Sequence, residues 1–230
     1  IQYQDYTPGD GKCETPPSTG RLCTLYAAIQ EANASPGADQ INFSINKTVY
    51  GTIFGGGGTN IGETVTIDGT SQGHVEIYGN GHTVGLSVYG TNTTIRGMAL
   101  NRYTTKAIAL GDSGHIIEGN YVGTDATGSQ IVGTVGSSGI YVNGSDHTIG
   151  GTIAAAGNVI SGFPSSNIEI DTDFDDKITS GIKILGNFIG TNSTGTEALG
   201  TTRNGIEVFR GLNITIGGTA VGAGNLISGN

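Results

Sequence analysis

Carboxylates are the reactive side chains this chain has in number, with 19 Asp and Glu against 10 Lys and Arg and a formal charge of -9. The densest acidic run is Glu169-Ile170-Asp171-Thr172-Asp173-Phe174-Asp175-Asp176-Lys177. Within it Asp171, Asp173 and Asp175 alternate as the oxygen ligands of a hard cation do, which points to calcium. The glycine and distal glutamate of an EF-hand loop are missing, and the rival reading is a solvated acidic loop. Asp146 and Glu169 lie 23 residues apart. Stacked on adjacent strands roughly 4.8 Å apart, they would approach the separation of a glycosidase carboxyl pair; otherwise they are plain solvated side chains. The four histidines, His74, His82, His115 and His147, show no metal-ligand spacing and are expected on the surface. A nucleophilic triad is not expected, with Cys23 expected to be oxidised. Cys13 and Cys23 are ten apart in a polar segment rich in Pro and Gly. A local disulfide is the expected state, with free thiols or a metal as alternatives, although zinc would need ligands that do not stand nearby.

Composition narrows the classes of function. No stretch reaches the roughly 18 apolar residues of a membrane-spanning helix, and no Lys/Arg cluster offers a footprint for nucleic acid. Glycine, at 42 of 230 residues, follows no third-position period, so collagen is excluded. A disulfide implies export to a secreted or cell-surface location. The absence of an initiator Met and of a leader segment fits either a mature secreted form or a shortened chain.

The elements that would position these groups emerge from a repeat. Residues 119–163 reappear at 186–230 with an offset of 67: Gly119-Asn120-Tyr121-Val122-Gly123-Thr124-Asp125 becomes Gly186-Asn187-Phe188-Ile189-Gly190-Thr191-Asn192. Within each copy short β-branched pieces are bounded by Gly and Asn, too short for helices. Dividing 67 by three gives about 22 residues, one turn of three short strands, and predicts an all-β chain folded as a single right-handed parallel β-helix. Stacking neighbouring coils buries inward ladders of Ile, Val and Leu and satisfies strand edges that one coil would leave open. Asn120, Asn158, Asn187 and Asn225, each following a Gly, are the expected corner residues, whose stacked amides satisfy one another and the turning backbone. A β-sandwich with exposed Asn-Gly turns is the competing architecture. Thr64–Gly69, Val75–Gly79 and Thr94–Met98 read as earlier coils, so the solenoid is expected over residues 41–230. Residues 1–40 would hold the disulfide loop and a capping helix. In that helix Leu22, Leu25, Ile29 and Ala32 share one face, Thr24 is the N-cap, and Pro36-Gly37 is the stop. At Asn230 the repeat is still in progress, so the expectation is that the protein continues or that the last coil is a surface for end-to-end or self-association.

Leu22-Cys23-Thr24-Leu25-Tyr26-Ala27-Ala28-Ile29-Gln30-Glu31-Ala32-Asn33, followed by Gly37-Ala38-Asp39-Gln40-Ile41-Asn42-Phe43, resembles the CSLREA-type N-terminal motif of large exported bacterial proteins. The Gly-Asn units similarly look like the right-handed parallel β-helix repeats of such proteins, within the broad pectate-lyase-like fold. Tyr26-Ala27 stands where the motif carries Arg-Glu. The resemblance covers most of the chain and implies fold and export more strongly than activity: relatives on this fold include surface proteins as well as polysaccharide lyases, hydrolases and epimerases.

The second copy replaces Asp125 by Asn192 and Glu118 by Leu185 while keeping its Gly, Asn and aliphatic framework. What the repeat maintains is therefore a scaffold. The expected function is a non-catalytic structural or adhesive module of a secreted or cell-surface protein, with polysaccharide or cell-surface glycan as its partner, no catalytic residue and no cofactor apart from the calcium alternative. A polysaccharide lyase or glycoside hydrolase is the runner-up; it would show convergent carboxylates with Arg or Lys on a concave face. Tyr78, Tyr89, Tyr103, Tyr121 and Tyr141 are candidates for stacking on sugars, although Tyr121 aligns with Phe188 and so suits a core or corner. Asn-x-Ser/Thr sequons begin at Asn33, Asn46, Asn92, Asn143, Asn192 and Asn213.

Overall fold

A computed structural model describes residues 4–44, 48–49 (as backbone), 59–133, 136–172, 178–200 and 203–230. Its strands form three all-parallel sheets, and the chain visits them in rotation, which makes a three-sided parallel β-helix. Face A stacks β1 (Asp39–Asn42), β4 (Val65–Asp68), β7 (Thr94–Arg96), β10 (Ile116–Glu118), β13 (Thr148–Gly150), β16 (Lys183–Leu185) and β19 (Thr215–Ile216). Face B stacks β2 (Thr48–Val49), β5 (Val75–Tyr78), β8 (Met98–Asn101), β11 (Tyr121–Val122), β14 (Val159–Ile160), β17 (Phe188–Ile189) and β20 (Leu226–Ile227). Face C stacks β3 (Thr59–Ile61), β6 (Val84–Val88), β9 (Lys106–Leu110), β12 (Ser138–Val142), β15 (Ser166–Ile170) and β18 (Asn204–Val208).

Registration is set from inside. On face A one isoleucine per coil pairs in an unbroken column: Ile41, Ile67, Ile95, Ile117, Ile149, Ile184 and Ile216. Its five middle members are wholly buried. A one-residue slip would turn this column outward, so burial holds the register more strongly than the few hydrogen bonds of such short strands. Face C carries a second column, Leu86, Ile108, Ile140, Ile168 and Ile206.

Coil length departs from the uniform 22 residues. Ile95 and Ile117 are separated by 22, but Tyr121, Val159 and Phe188 pair in succession at offsets of 38 and 29. Those two offsets make the 67-residue repeat, so the unit is two coils of unequal length rather than three equal ones. The surplus lies in corner excursions. Residues 124–131 and 191–198 fold outward as hairpins closed by antiparallel bridges, Thr124 to Ile131 and Thr191 to Ala198. Although their coils are separated by another, the two hairpins stack: the Ser193 N–H donates to the Gly128 carbonyl at 2.8 Å. Gly128, at φ 68, turns over the Tyr121 ring, and a Cβ there would come 3.1 Å from that ring and 2.8 Å from Ser193 Cβ. Tyr121 is thus the floor of a loop, as Phe188 is under Gly195.

Helix α1 (Leu25–Ala34) has Thr24 as its N-cap, whose hydroxyl accepts from the Ala27 N–H at 3.0 Å, and ends before Pro36. It buries Leu25, Ile29 and Ala32 against β1 and β3. Leu22 precedes the helix and is exposed, which corrects its expected place on the packed face. Every polar residue in the second half of α1 ties down something different. Gln30 Oε1 accepts from the Asp5 N–H, and the buried Glu31 carboxylate accepts from the N–H groups of Gly9 and Gly11. Asn33 donates to the Asn60 carbonyl and accepts from the Gly62 N–H in the first coils. With the Cys13–Cys23 disulfide closing the preceding loop, the N-terminal strap is fastened to the helix and the helix to the solenoid. No described helix is long and apolar enough to cross a membrane.

Candidate functional site

The corners carry buried polar ladders. Asn120, Asn158 and Asn187 are buried, and Asn225 is half-buried. Each amide oxygen accepts the backbone N–H of the coil before it: Met98 to Asn120, Asn120 to Asn158, Asn158 to Asn187 and Asn187 to Asn225, at 2.9–3.0 Å. The amide nitrogens donate to Ile95, Ile117, Ile149 and Ile184 carbonyls.

His115 and His147 form a second ladder, against the expectation of surface histidines. Both are fully buried and their rings stack at 4.8 Å. His115 Nδ1 accepts the Thr93 N–H and His147 Nδ1 the His115 N–H. Their Nε2 atoms lie 2.8 Å from the Gly111 carbonyl and 2.7 Å from the Asn143 carbonyl. With Nδ1 accepting, Nε2 must carry the proton, so both rings are neutral. Burial, then the neighbouring His147, pushes His115 down to about 4, and burial also lowers His147. Of the others, His74 stacks on Tyr121 at 3.7 Å, beside Gly119.

On the outside, face A brings together three charges that the sequence reading passed over. Asp68, Arg96 and Glu118 pair in register on successive coils. Arg96 Nε and Nη2 reach Asp68 Oδ2 at 2.9 and 2.8 Å, and Nη1 lies 3.5 Å from Glu118 Oε1. Burial raises the Asp68 carboxyl, but hydrogen bonds from the Thr70 hydroxyl and N–H, together with the Arg96 guanidinium, outweigh it and hold the group below its ordinary range. Asp68 in turn raises Arg96. The sequence did carry a signal: Ile67-Asp68-Gly69, Ile95-Arg96-Gly97 and Ile117-Glu118-Gly119 share one phrase, a core isoleucine, an outward charge and a corner glycine.

Beside this triad lies a cleft of about 280 Å³, lined by Thr70, Arg96, Glu118, Gly119, Ile153, Ala155 and Ala156. Its far wall comes from the 151–157 excursion, which approaches so closely that a Cβ on Gly119 would lie 2.5 Å from the Ala155 carbonyl oxygen. Asp68 and Glu118 are two coils apart, roughly 9.6 Å at the backbone. Arg96 occupies the space between them, where a glycosidase would place sugar and water.

The residues named from sequence do not converge. Glu169 pairs on face C with Tyr141 and Glu207 and accepts the Ser138 hydroxyl. Asp146 sits at φ 59 before face A, its Oδ1 beside Gly181. Their expected stacking is therefore corrected: coil lengths other than 22 move residues 23 apart onto different faces. Asp171 accepts from the Thr172 N–H and pairs with Arg210 at 3.4 Å. Asp173 and Asp175 lie outside the described residues, and among the described residues no three His, Cys, Asp or Glu are grouped to hold a metal. Tyr103 is buried, with burial raising its hydroxyl pKa, and is thereby removed from the sugar-stacking candidates. Of the sequon asparagines, Asn143 and Asn192 are buried, Asn33 is engaged with the first coils, and Asn46 lies outside the described residues. Asn92 and Asn213 are exposed.

Compared with known proteins, the chain matches no family model, no curated protein and no solved structure.

Proposed function

We propose that the chain is a non-catalytic structural or adhesive module of a secreted or cell-surface protein, with glycan as its partner. The observation carrying this reading is that the carboxylates best placed for chemistry are already engaged in holding the scaffold. Asp68 is bonded by Thr70 and Arg96, Glu31 by Gly9 and Gly11, and Asp125 by its own hairpin. A general base needs a lone pair aimed at substrate, and an acid–base pair needs room between its members. The cross-linked strap at Cys13–Cys23 favours an oxidising compartment.

One observation favours the second reading, a polysaccharide-active enzyme: Asp68, Arg96 and Glu118 converge from three coils beside a cleft. Turnover separates the two. Assays of pectate, alginate and neutral plant and bacterial polysaccharides, read by unsaturated products and by reducing ends, should show no activity above buffer. Reproducible turnover abolished by Glu118→Gln would establish the enzyme instead.

A further inference from the structure

We infer that the cleft beside Arg96 is a subsite for one neutral pyranose unit of a glycan. This inference deepens the adhesive reading and rests on it. Size sets the first limit, since about 280 Å³ lies just below the drug-sized ligand range of roughly 300–1,000 Å³ and leaves room for no more than a single ring.

Polar chemistry sets the second. The Arg96–Glu118 contact, at 3.5 Å, is longer than a charge-assisted hydrogen bond of about 2.7–2.9 Å. A guanidinium N–H and a carboxylate oxygen therefore stand side by side with bonding capacity to spare. Both side chains reach solvent, with 39% and 28% of their surface exposed. A vicinal diol matches such a pair, because each hydroxyl both donates and accepts. The opposite wall is apolar: Ile153, Ala155 and Ala156. Ile153 is 69% exposed, more than any other described isoleucine, and packing in the solenoid gives no reason for it. Against the C–H face of a sugar ring that exposure has a use.

Charge makes the choice among glycans. Asp68, Arg96 and Glu118 sum to one negative charge, in a chain of formal charge -9, so uronate-rich polymers are repelled and neutral rings are not. The site is also preorganised. Gly119 is fixed on one side by its N–H donating to the Ala156 carbonyl and on the other by His74 at its own carbonyl. The backbone at this point of the cleft therefore needs little ordering on binding.

The test follows the Gly119 and Ala155 amide resonances, present in the parent and in both variants, during titration with cellohexaose, maltohexaose and mannohexaose and with oligogalacturonate as the acidic probe. A saturable shift with at least one neutral hexaose, a Kd on the order of 1 mM, and a tenfold or greater weakening in Ile153→Ser and Glu118→Ala are expected. Ile153 is exposed, so Ile153→Ser keeps the fold and its melting curve should superimpose on that of the parent. No shift with any neutral probe at 20-fold excess over that Kd, or a preference for oligogalacturonate, would overturn the subsite. Neutral-glycan binding that survives both substitutions would also remove it, while leaving the adhesive reading standing.

Discussion

The asparagine and histidine ladders sit at different corners and use one device. In each, a side-chain acceptor from one coil takes the backbone N–H of the coil before it, and the same side chain donates to a carbonyl. Corners interrupt the sheet ladders, so their backbone groups need such replacements, and leaving them unpaired in the core is costly. The ladders differ in what they tolerate. An amide keeps its acceptor at every pH, whereas an imidazole loses it on protonation. The asparagine ladder also runs on through Asn225, while the histidine column passes after His147 to Ile182, the residue preceding the next paired strand. One corner is insensitive to pH, and the other conditions part of the stability on neutral rings.

The comparison breaks most directly at Asn158. Replacement by Ala strands the buried Asn120 N–H and removes the amide donor to the Ile117 carbonyl, which remains in the face A ladder with β13, while its other partners keep one bond each. With that donor stranded at about 1–3 kcal/mol and three further amide hydrogen bonds lost, the loss should be about 4 kcal/mol and visible as a large fall in Tm. A Tm within a degree of the parent would mean that water or a backbone shift repairs the corner.

The histidine ladder should fail with acid. The folded pKa values lie below the ordinary 6.5, reaching about 4 for His115, so the unfolded chain takes up protons first. Stability is complete above pH 6.5 and falls as pH drops toward 4. Asp112 and Asp146 stand near the rings and pull against the shift without cancelling it. For His115 alone the loss approaches 3 kcal/mol. Urea melts at pH 7.5, 6, 5 and 4.5 measure it, and ¹⁵N spectra should show both rings as Nε2-H tautomers. A flat profile across that window, or an imidazolium at pH 6, would refute the neutral stack.

Sequence reading reached the architecture because its signals are local. Short β-branched pieces, Gly-Asn corners and the 67-residue phrase require no knowledge of what pairs with what. The site depended on pairing, and pairing depended on coil length. With equal coils of 22, residues 23 apart such as Asp146 and Glu169 look stacked; with the 151–157 excursion between them, and Thr148 next pairing with Lys183, they do not. The same error hid Asp68, Arg96 and Glu118, whose shared Ile-charge-Gly phrase gives the register directly. His115 and His147 were missed because an imidazole beside Ile116 or Thr148 reads as polar, and only stacking supplies the N–H that makes burial tolerable. In sequence the polar residues of α1 show only a resemblance to a motif, while their task, fastening the strap and the first coils, appears in three dimensions.

The smallest expected effect sharpens the contrast between buried ladder and exposed loop. Asp125 accepts from the Ser129 and Gln130 N–H groups and the Thr127 hydroxyl, and Asn192 accepts from the Thr196 and Glu197 N–H groups and the Thr194 hydroxyl. The loop thus asks for an oxygen, not a charge, and Asp125→Asn at pH 7 should change stability by less than about 0.5 kcal/mol. Asp125→Ala, which removes the acceptor, should cost about 1–2 kcal/mol. Burial raises the Asp125 carboxyl, but the hydrogen bonds outweigh it and keep its pKa below 3.8. Its contribution is therefore present above pH 3.8 and lost as pH falls through the lower folded value, and that acid dependence should vanish in Asp125→Asn. Equal losses for Asn and Ala at pH 7 would show that the carboxylate charge itself is needed, as a cation bound at the hairpin would require.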